Sequence, residues 1–151
     1  RPMTLKIVPT RAVAFETWLE LWLAYVDGQI APDAPLHAAT YERLCAQASL
    51  HGIVAIDQGQ PCGFAHYYFH PSTWALTQPC YVQDLYVSPA ARGRQLGMRL
   101  LDEVQTHAAQ RGSPVVHWNT RADNLPARAL YDRIATASDR VIYLRPVPAG
   151  T

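Results

Sequence analysis

The chain has 151 residues, the size of one domain, and its 49% hydrophobic against 17% charged residues supply a core and exclude a disordered chain. A net charge of +1 excludes a strong field for gripping nucleic acid, and no apolar run approaches the roughly 20 residues that span a bilayer. No signal-peptide pattern opens the chain, and Cys45, Cys62 and Cys80 form no C-x-x-C pair, so free thiols in a cytoplasmic protein are expected.

Leu5-Lys6-Ile7-Val8 alternates and stops at Pro9, a first strand; Arg1-Pro2 ahead of Met3 reads as a cloning or processing remnant and is set aside. Residues 13–26 carry Phe15, Trp18, Leu19, Trp22, Tyr25 and Val26 at helical spacing, and Asp27-Gly28 closes that helix. Pro32 and Pro35 break the chain before a second helix over 40–48. The apolar run 52–56, the turn residues 57–60 and the aromatic stretch 63–69 read as an antiparallel hairpin. A loop with Trp74 follows, then a strand over 80–87 stopped by Ser88-Pro89. Leu96, Leu100, Leu101, Val104 and Ala108 mark one face of a helix that ends near Arg111-Gly112. A strand over 115–118, a helix over 125–133 and a last alternating strand over 140–144 complete the order. Antiparallel strands come first and β-α-β units follow, which predicts a mixed α/β (α+β type) sheet with helices on both faces in one domain over 3–147.

The stretch 81–97 runs from a strand through a Gly-rich turn into a helix start. Such a turn leaves backbone N–H groups without intrahelical partners, and the helix dipole adds partial positive charge there. Gly93 and Gly97 let an anion approach the main chain, and Arg92 and Arg94 add full charges. Charge is distributed to match: residues 76–151 carry nine Lys/Arg against six Asp/Glu, residues 1–75 four against six. A pyrophosphate satisfies all of this; an ordinary loop with solvated arginines is the competing reading. A P-loop is excluded because no G-x-x-x-x-G-K-[ST] is present, and no G-x-G-x-x-G follows an early strand.

Arg92-Gly93-Arg94-Gln95-Leu96-Gly97 resembles the acetyl-CoA signature [QR]-x-x-G-x-[GA] of the GNAT acetyltransferase superfamily. Asn124, Ala127 and Tyr131 repeat the superfamily's second element, an Asn with a small residue three on and a Tyr seven on. With Gly63-Phe64-Ala65-His66, the His70-Pro71-Ser72-Thr73-Trp74 loop, Asp84-Leu85-Tyr86-Val87 and Leu130-Tyr131-Asp132, the likeness extends from the first strand to about Arg145 and is greatest to the small histone/polyamine acetyltransferase-like group and its bacterial relatives. Two departures stand out: Gln95 replaces the usual middle glycine, and Ala135-Thr136 replaces a Gly-Phe.

The resemblance implies a GNAT fold with a mostly antiparallel sheet and a splayed parallel strand pair, and an enzyme that uses acetyl-CoA as co-substrate and no metal. Gly93, Arg94, Gln95, Leu96, Gly97 and Met98 would then offer main-chain donors to the pyrophosphate, with Arg92 beside them. Leu85, Tyr86 and Val87 would present a strand edge to the pantetheine arm, and the N–H of Leu85 or Tyr86 would polarise the acetyl carbonyl. Asn124 and Ala127 would hold the cofactor arm, with a helix N-cap as a compatible role for Asn124. Tyr131 is expected to protonate the departing thiolate, its pKa of about 10 keeping it protonated. Asp84 is expected to hold the acceptor ammonium or take its proton, or else to pair with an arginine; Gln83, Trp74 and Tyr25 complete the acceptor side. His66 and His117 are read as proton-removal aids or as hydrogen-bonded structural residues, since no third metal ligand stands at a recognisable spacing.

The acceptor is expected to be a small-molecule amine, with a protein lysine or N-terminal amine as the alternative. A non-catalytic CoA-binding module and a nucleic-acid-directed enzyme are the remaining alternatives. Val141, Ile142, Tyr143 and Leu144 would permit a homodimer through the last strands.

Overall fold

The computed structural model describes residues 4–150, so the reading of Arg1-Pro2 lies outside the described residues. Two compact units are distinguished, one through Asn119 and one from Thr120.

The first unit is built on a five-stranded sheet of order β1-β2-β3-β4-β5: β1 (Leu5–Pro9), β2 (His51–Asp57), β3 (Gln60–Phe69), β4 (Cys80–Val87) and β5 (Val116–Trp118). The first four pair antiparallel and β4–β5 pair parallel. Gln58 and Gly59 both take positive φ (+51° and +78°), the two-residue turn whose twist suits a hairpin. Alternation along β3 sends Phe64 and His66 to one face and Tyr67 to the other. On the first face lie α1 (Phe15–Val26) and α2 (Leu36–Ala46), and the core there joins Trp18, Leu21, Trp22, Val26, Leu44, Val54 and Phe64. On the second lies α3 (Leu96–Gln110), whose five buried residues are Leu96, Leu100, Leu101, Val104 and Ala108, the face predicted from periodicity. A 3-10 turn, Pro89–Ala91, joins β4 to the loop before α3.

Two indoles of α1 hold histidines. Trp22 Nε1 donates to His37 Nδ1 at 2.9 Å, which leaves the His37 Nε2 proton to donate to the Ala31 carbonyl at 2.8 Å. That pins the loop between α1 and α2. All three cysteines are free thiols; Cys62 and Cys80 are buried and Cys45 is half-buried.

The second unit contains α4 (Leu125–Ile134), with Pro126 in its first turn. The strand predicted over 140–144 is not formed. Residues 135–150 have no regular structure, and Val141, Ile142, Tyr143 and Leu144 are 61 to 90% exposed. Alternation alone does not make a strand; a strand also needs a neighbour with which to exchange backbone hydrogen bonds.

Candidate active site

In β4 the register opposite β3 slips by one residue: His66 faces Asp84 while Tyr67 faces Val82, so Gln83 is the extra residue of a bulge. The parallel ladder to β5 covers Cys80, Tyr81 and Val82 only, opposite Val116, His117 and Trp118. Beyond Val82 the rest of β4, Gln83 to Val87, has no strand partner on its β5 side among the described residues. This is the splay the family resemblance implies. Leu85, Tyr86 and Val87 are half-buried in the middle of a sheet as a result.

At its far end β4 runs into the Gly-rich turn. Arg92 Nε donates to the Val87 carbonyl at 3.0 Å and braces the strand end. Gly93 takes φ +83°, and Gln95 takes the left-handed conformation at φ +61°, ψ 25° as the residue before α3. The first backbone bond of α3 runs from Arg99 N–H to the Gln95 carbonyl at 3.1 Å. Among the described residues no hydrogen bond engages the amides of Gly93, Arg94, Gln95, Leu96, Gly97 or Met98, so the donors expected for an anion are untied. Arg94 is occupied otherwise than sequence suggested: its guanidinium pairs with Asp57 of β2 at 2.8 Å, strapping the turn to the β2–β3 hairpin.

Asp84 has a partner, and it is not an arginine. Its Oδ2 lies 3.0 Å from Nδ1 of His66, which is 3% exposed. On the ring's other side Trp18 Nε1 lies 3.0 Å from His66 Nε2. Indole is a donor only, so Nε2 accepts, the ring proton sits on Nδ1, and His66 donates to the carboxylate. Burial holds the pKa of His66 below the ordinary histidine value, against the opposing pull of Asp84. Tyr25 and Tyr86 come together edge-on, ring centroids 5.9 Å apart, and both pack on Phe64. A cleft of about 460 Å³ opens beside Tyr86 and Ser88, walled by Thr17, Glu20 and Leu21 of α1. Gln83 is exposed at the bulge, and Trp74 stands 96% exposed in the β3–β4 connection. His117 meets His70, Nε2 to Nε2 at 3.0 Å, at the base of the β4–β5 ladder. A second cavity, about 230 Å³ on the α3 side, is lined by His51, Tyr67 and His107 and by none of the predicted site residues.

Within the second unit Asn124 caps α4, its Oδ1 accepting from Ala127 N–H at 3.3 Å while its Nδ2 donates to Thr120 at 3.3 Å. Tyr131 is half-buried, and burial raises its phenol pKa above the usual value.

Sequence reasoning missed the Trp18–His66–Asp84 chain and the Asp57–Arg94 pair. The signal for the first was present: Trp18 and Trp22, four apart, share a helix face, and His66 lies on the strand face that receives it.

Residues 14–135 match the protein family described as the acetyltransferase (GNAT) family. The chain belongs to the GNAT acetyltransferase family. Among its relatives is the D-amino-acid N-acetyltransferase HPA3 of Saccharomyces cerevisiae, 34% identical over 134 residues that cover 86% of this chain and 83% of the relative. A thialysine N-epsilon-acetyltransferase of Bos taurus is 34% identical over 88 residues, 54% of this chain and 51% of its own. The GNAT fold itself is seen in the aminoglycoside N-acetyltransferase AAC(6')-Iy in complex with CoA, which superposes with a TM-score of 0.83 at 21% identity over 97% of both chains. The N-acetyltransferase class and the mixed GNAT fold read from the motifs therefore stand.

Proposed function

We propose that this GNAT enzyme transfers acetyl from acetyl-CoA to the primary amine of a small molecule, by direct attack in a ternary complex. The observation that carries the reading is the release of β4 from β5 beyond Val82, continuous with a turn whose amides are untied. An extended pantetheine arm suits the free β4 edge at Leu85, Tyr86 and Val87, and a diphosphate suits the turn. The amine nitrogen attacks the acetyl carbon, the carbonyl oxygen takes up charge against a β4 amide, and the C–S bond breaks. Asp84 anchors the ammonium and receives its proton directly or through water, and Tyr131 protonates the leaving thiolate; Asn124 and Ala127 hold the cofactor arm. The assignments for Tyr131, Asn124 and Ala127 rest on motif and on chemistry within their own unit.

Burial raises the Cys62 thiol and pushes Cys80 up to about 11, making both poor nucleophiles for an acyl-enzyme, which supports direct attack. The names of the relatives support a small amine, HPA3 for D-amino acids and the bovine relative for thialysine. Two acidic side chains on the acceptor side, Asp84 and Glu20 of the cleft by Tyr86, suit a cationic acceptor. We further propose a cytoplasmic homodimer that pairs through residues 140–144, whose apolar side chains are exposed.

A screen of D-phenylalanine, thialysine, spermidine, an aminoglycoside and a lysine-containing peptide for released CoA thiol tests the reading. Turnover of a small amine at least tenfold above the peptide supports it. Acetyl-CoA binding with no thiol release from any of them would make the chain a binding module instead.

A further inference from the structure

We propose that His66 is a positioning residue for Asp84, held in one tautomer by the Trp18 indole so that the carboxylate keeps a fixed orientation toward the acceptor amine with no cation beside it. The proposal rests on the reading of Asp84 as the acceptor-side acid.

The geometry is a three-member chain. Trp18 is fully buried and its only polar atom points at His66 Nε2, 3.0 Å away. A second proton on the ring would have to enter at Nε2, where an N–H already stands; that would set two donors against each other. His66 therefore has one use for its one proton, the 3.0 Å bond from Nδ1 to Asp84 Oδ2. Elsewhere the ring is closed in by apolar and aromatic groups: it stacks on Phe64 of β3 (centroids 4.4 Å apart) and lies 5.5 Å from Trp22 of α1. Asp84 is the charged group set against it, across the β4 bulge.

Two consequences separate this from a merely structural hydrogen bond. First, the imidazole cannot act as the general base, because its lone pair is spent on Trp18. The carboxylate is the base or anchor, and His66 orients it through Oδ2, leaving Oδ1 for the amine. This reverses the arrangement in which a carboxylate orients a histidine. Second, a His66 free to take a second proton would become a cation in contact with Asp84 and cancel the charge offered to an ammonium. The Trp18 N–H removes that option, so His66 places no cation beside Asp84 through the pH range in which histidines ordinarily titrate.

The test uses the full chain labelled with 15N-histidine. In the wild type, His66 should show the Nδ1–H tautomer, unchanged between pH 5 and 8.5; an Nε2–H tautomer, or a titration near pH 6.5, overturns the proposal. Trp18→Phe keeps the apolar bulk and removes the donor. His66 should then titrate, and kcat/KM for the fastest acceptor of the amine panel should fall at least fivefold more between pH 8 and 6 than in the wild type. A profile unchanged from the wild type overturns the proposal. His66→Leu should lower kcat at least tenfold with acetyl-CoA affinity intact, while His66→Asn, which retains a donor near the Nδ1 position, should recover to within about threefold. Equal losses in the two variants, tracking their melting temperatures, would mark a structural role only and overturn it. Asp84→Asn separates the underlying reading: undiminished turnover there removes Asp84 from the site. A large loss in that variant with an unaltered His66→Leu overturns the positioning role alone.

Discussion

Gln95 occupies a conformation that an L side chain adopts at a cost. At φ +61° it sits where glycine is free and other residues lose roughly 1 kcal/mol, and its side chain offers no cap to α3 in return. Gln95→Gly should therefore raise stability by up to about 1 kcal/mol, or a few degrees in Tm, without weakening acetyl-CoA binding. A lower Tm in a thermal melt would contradict this. Tyr131 makes the second case at this scale. Burial lifts its phenol pKa, so the proton needed by a thiolate is retained at neutral pH. Tyr131→Phe should lower turnover at least tenfold and leave acetyl-CoA affinity near the wild-type value, measured by steady-state kinetics and calorimetry. Sequence was legible where backbone chemistry dictates the residue: Gly93, at φ +83° in the turn, and Asn124, the cap of α4, are readable because a turn or a cap restricts the residue type. Side-chain pairings across the sheet were not. Nothing in the local sequence of Asp57 points to Arg94; for Trp18 and His66 the faces were readable, but the pairing itself is made by register and helix placement.

At the scale of elements, the edge offered by β4 depends on how closely β3 approaches it. A Cβ on Gly63 would lie 2.5 Å from the Tyr86 carbonyl oxygen and 3.4 Å from Val87 Cα, backbone on both counts. Gly63→Ala must displace β4 at the residues proposed to meet the pantetheine arm, so it should weaken acetyl-CoA binding at least tenfold as well as lower Tm. Binding by calorimetry at wild-type affinity would show that this stretch of β4 is not the cofactor edge. The bounds of β4 were readable in full, since Ser88-Pro89 ends the strand, and the helical face of α3 was too. The start of α2 was not. Pro35 reads as a breaker, yet at φ −61°, ψ −20° it is already helical and directly precedes Leu36, because a ring that lacks an N–H costs nothing where that N–H would be unpaired. The segment 140–144 failed in the opposite direction: its pattern is strand-like, yet it has no regular structure.

At the scale of the whole molecule, the sheet is packed with histidines kept neutral by burial, and that sets how stability responds to acid. Burial, with smaller contributions from His107 and Arg111, lowers His51 to about 4; burial also lowers His66 and His107. The unfolded chain protonates such groups near 6.5, so between about pH 6.5 and 4 it binds more protons than the folded one. Stability is then fully present above pH 6.5 and is lost as pH falls toward 4, by at most about 1.4 kcal/mol per pH unit for each such histidine. Tm should drop by about 3 °C or more from pH 6.5 to 5.5, a window above the carboxylate range in which histidines dominate the proton balance. His51→Gln should flatten that slope, since it removes a histidine held down at about 4 in the fold against the ordinary value near 6.5. A wild-type melting curve that does not move across this window would mean that these rings already take up protons in the folded state, with His51 open to water rather than closed between β2 and α3.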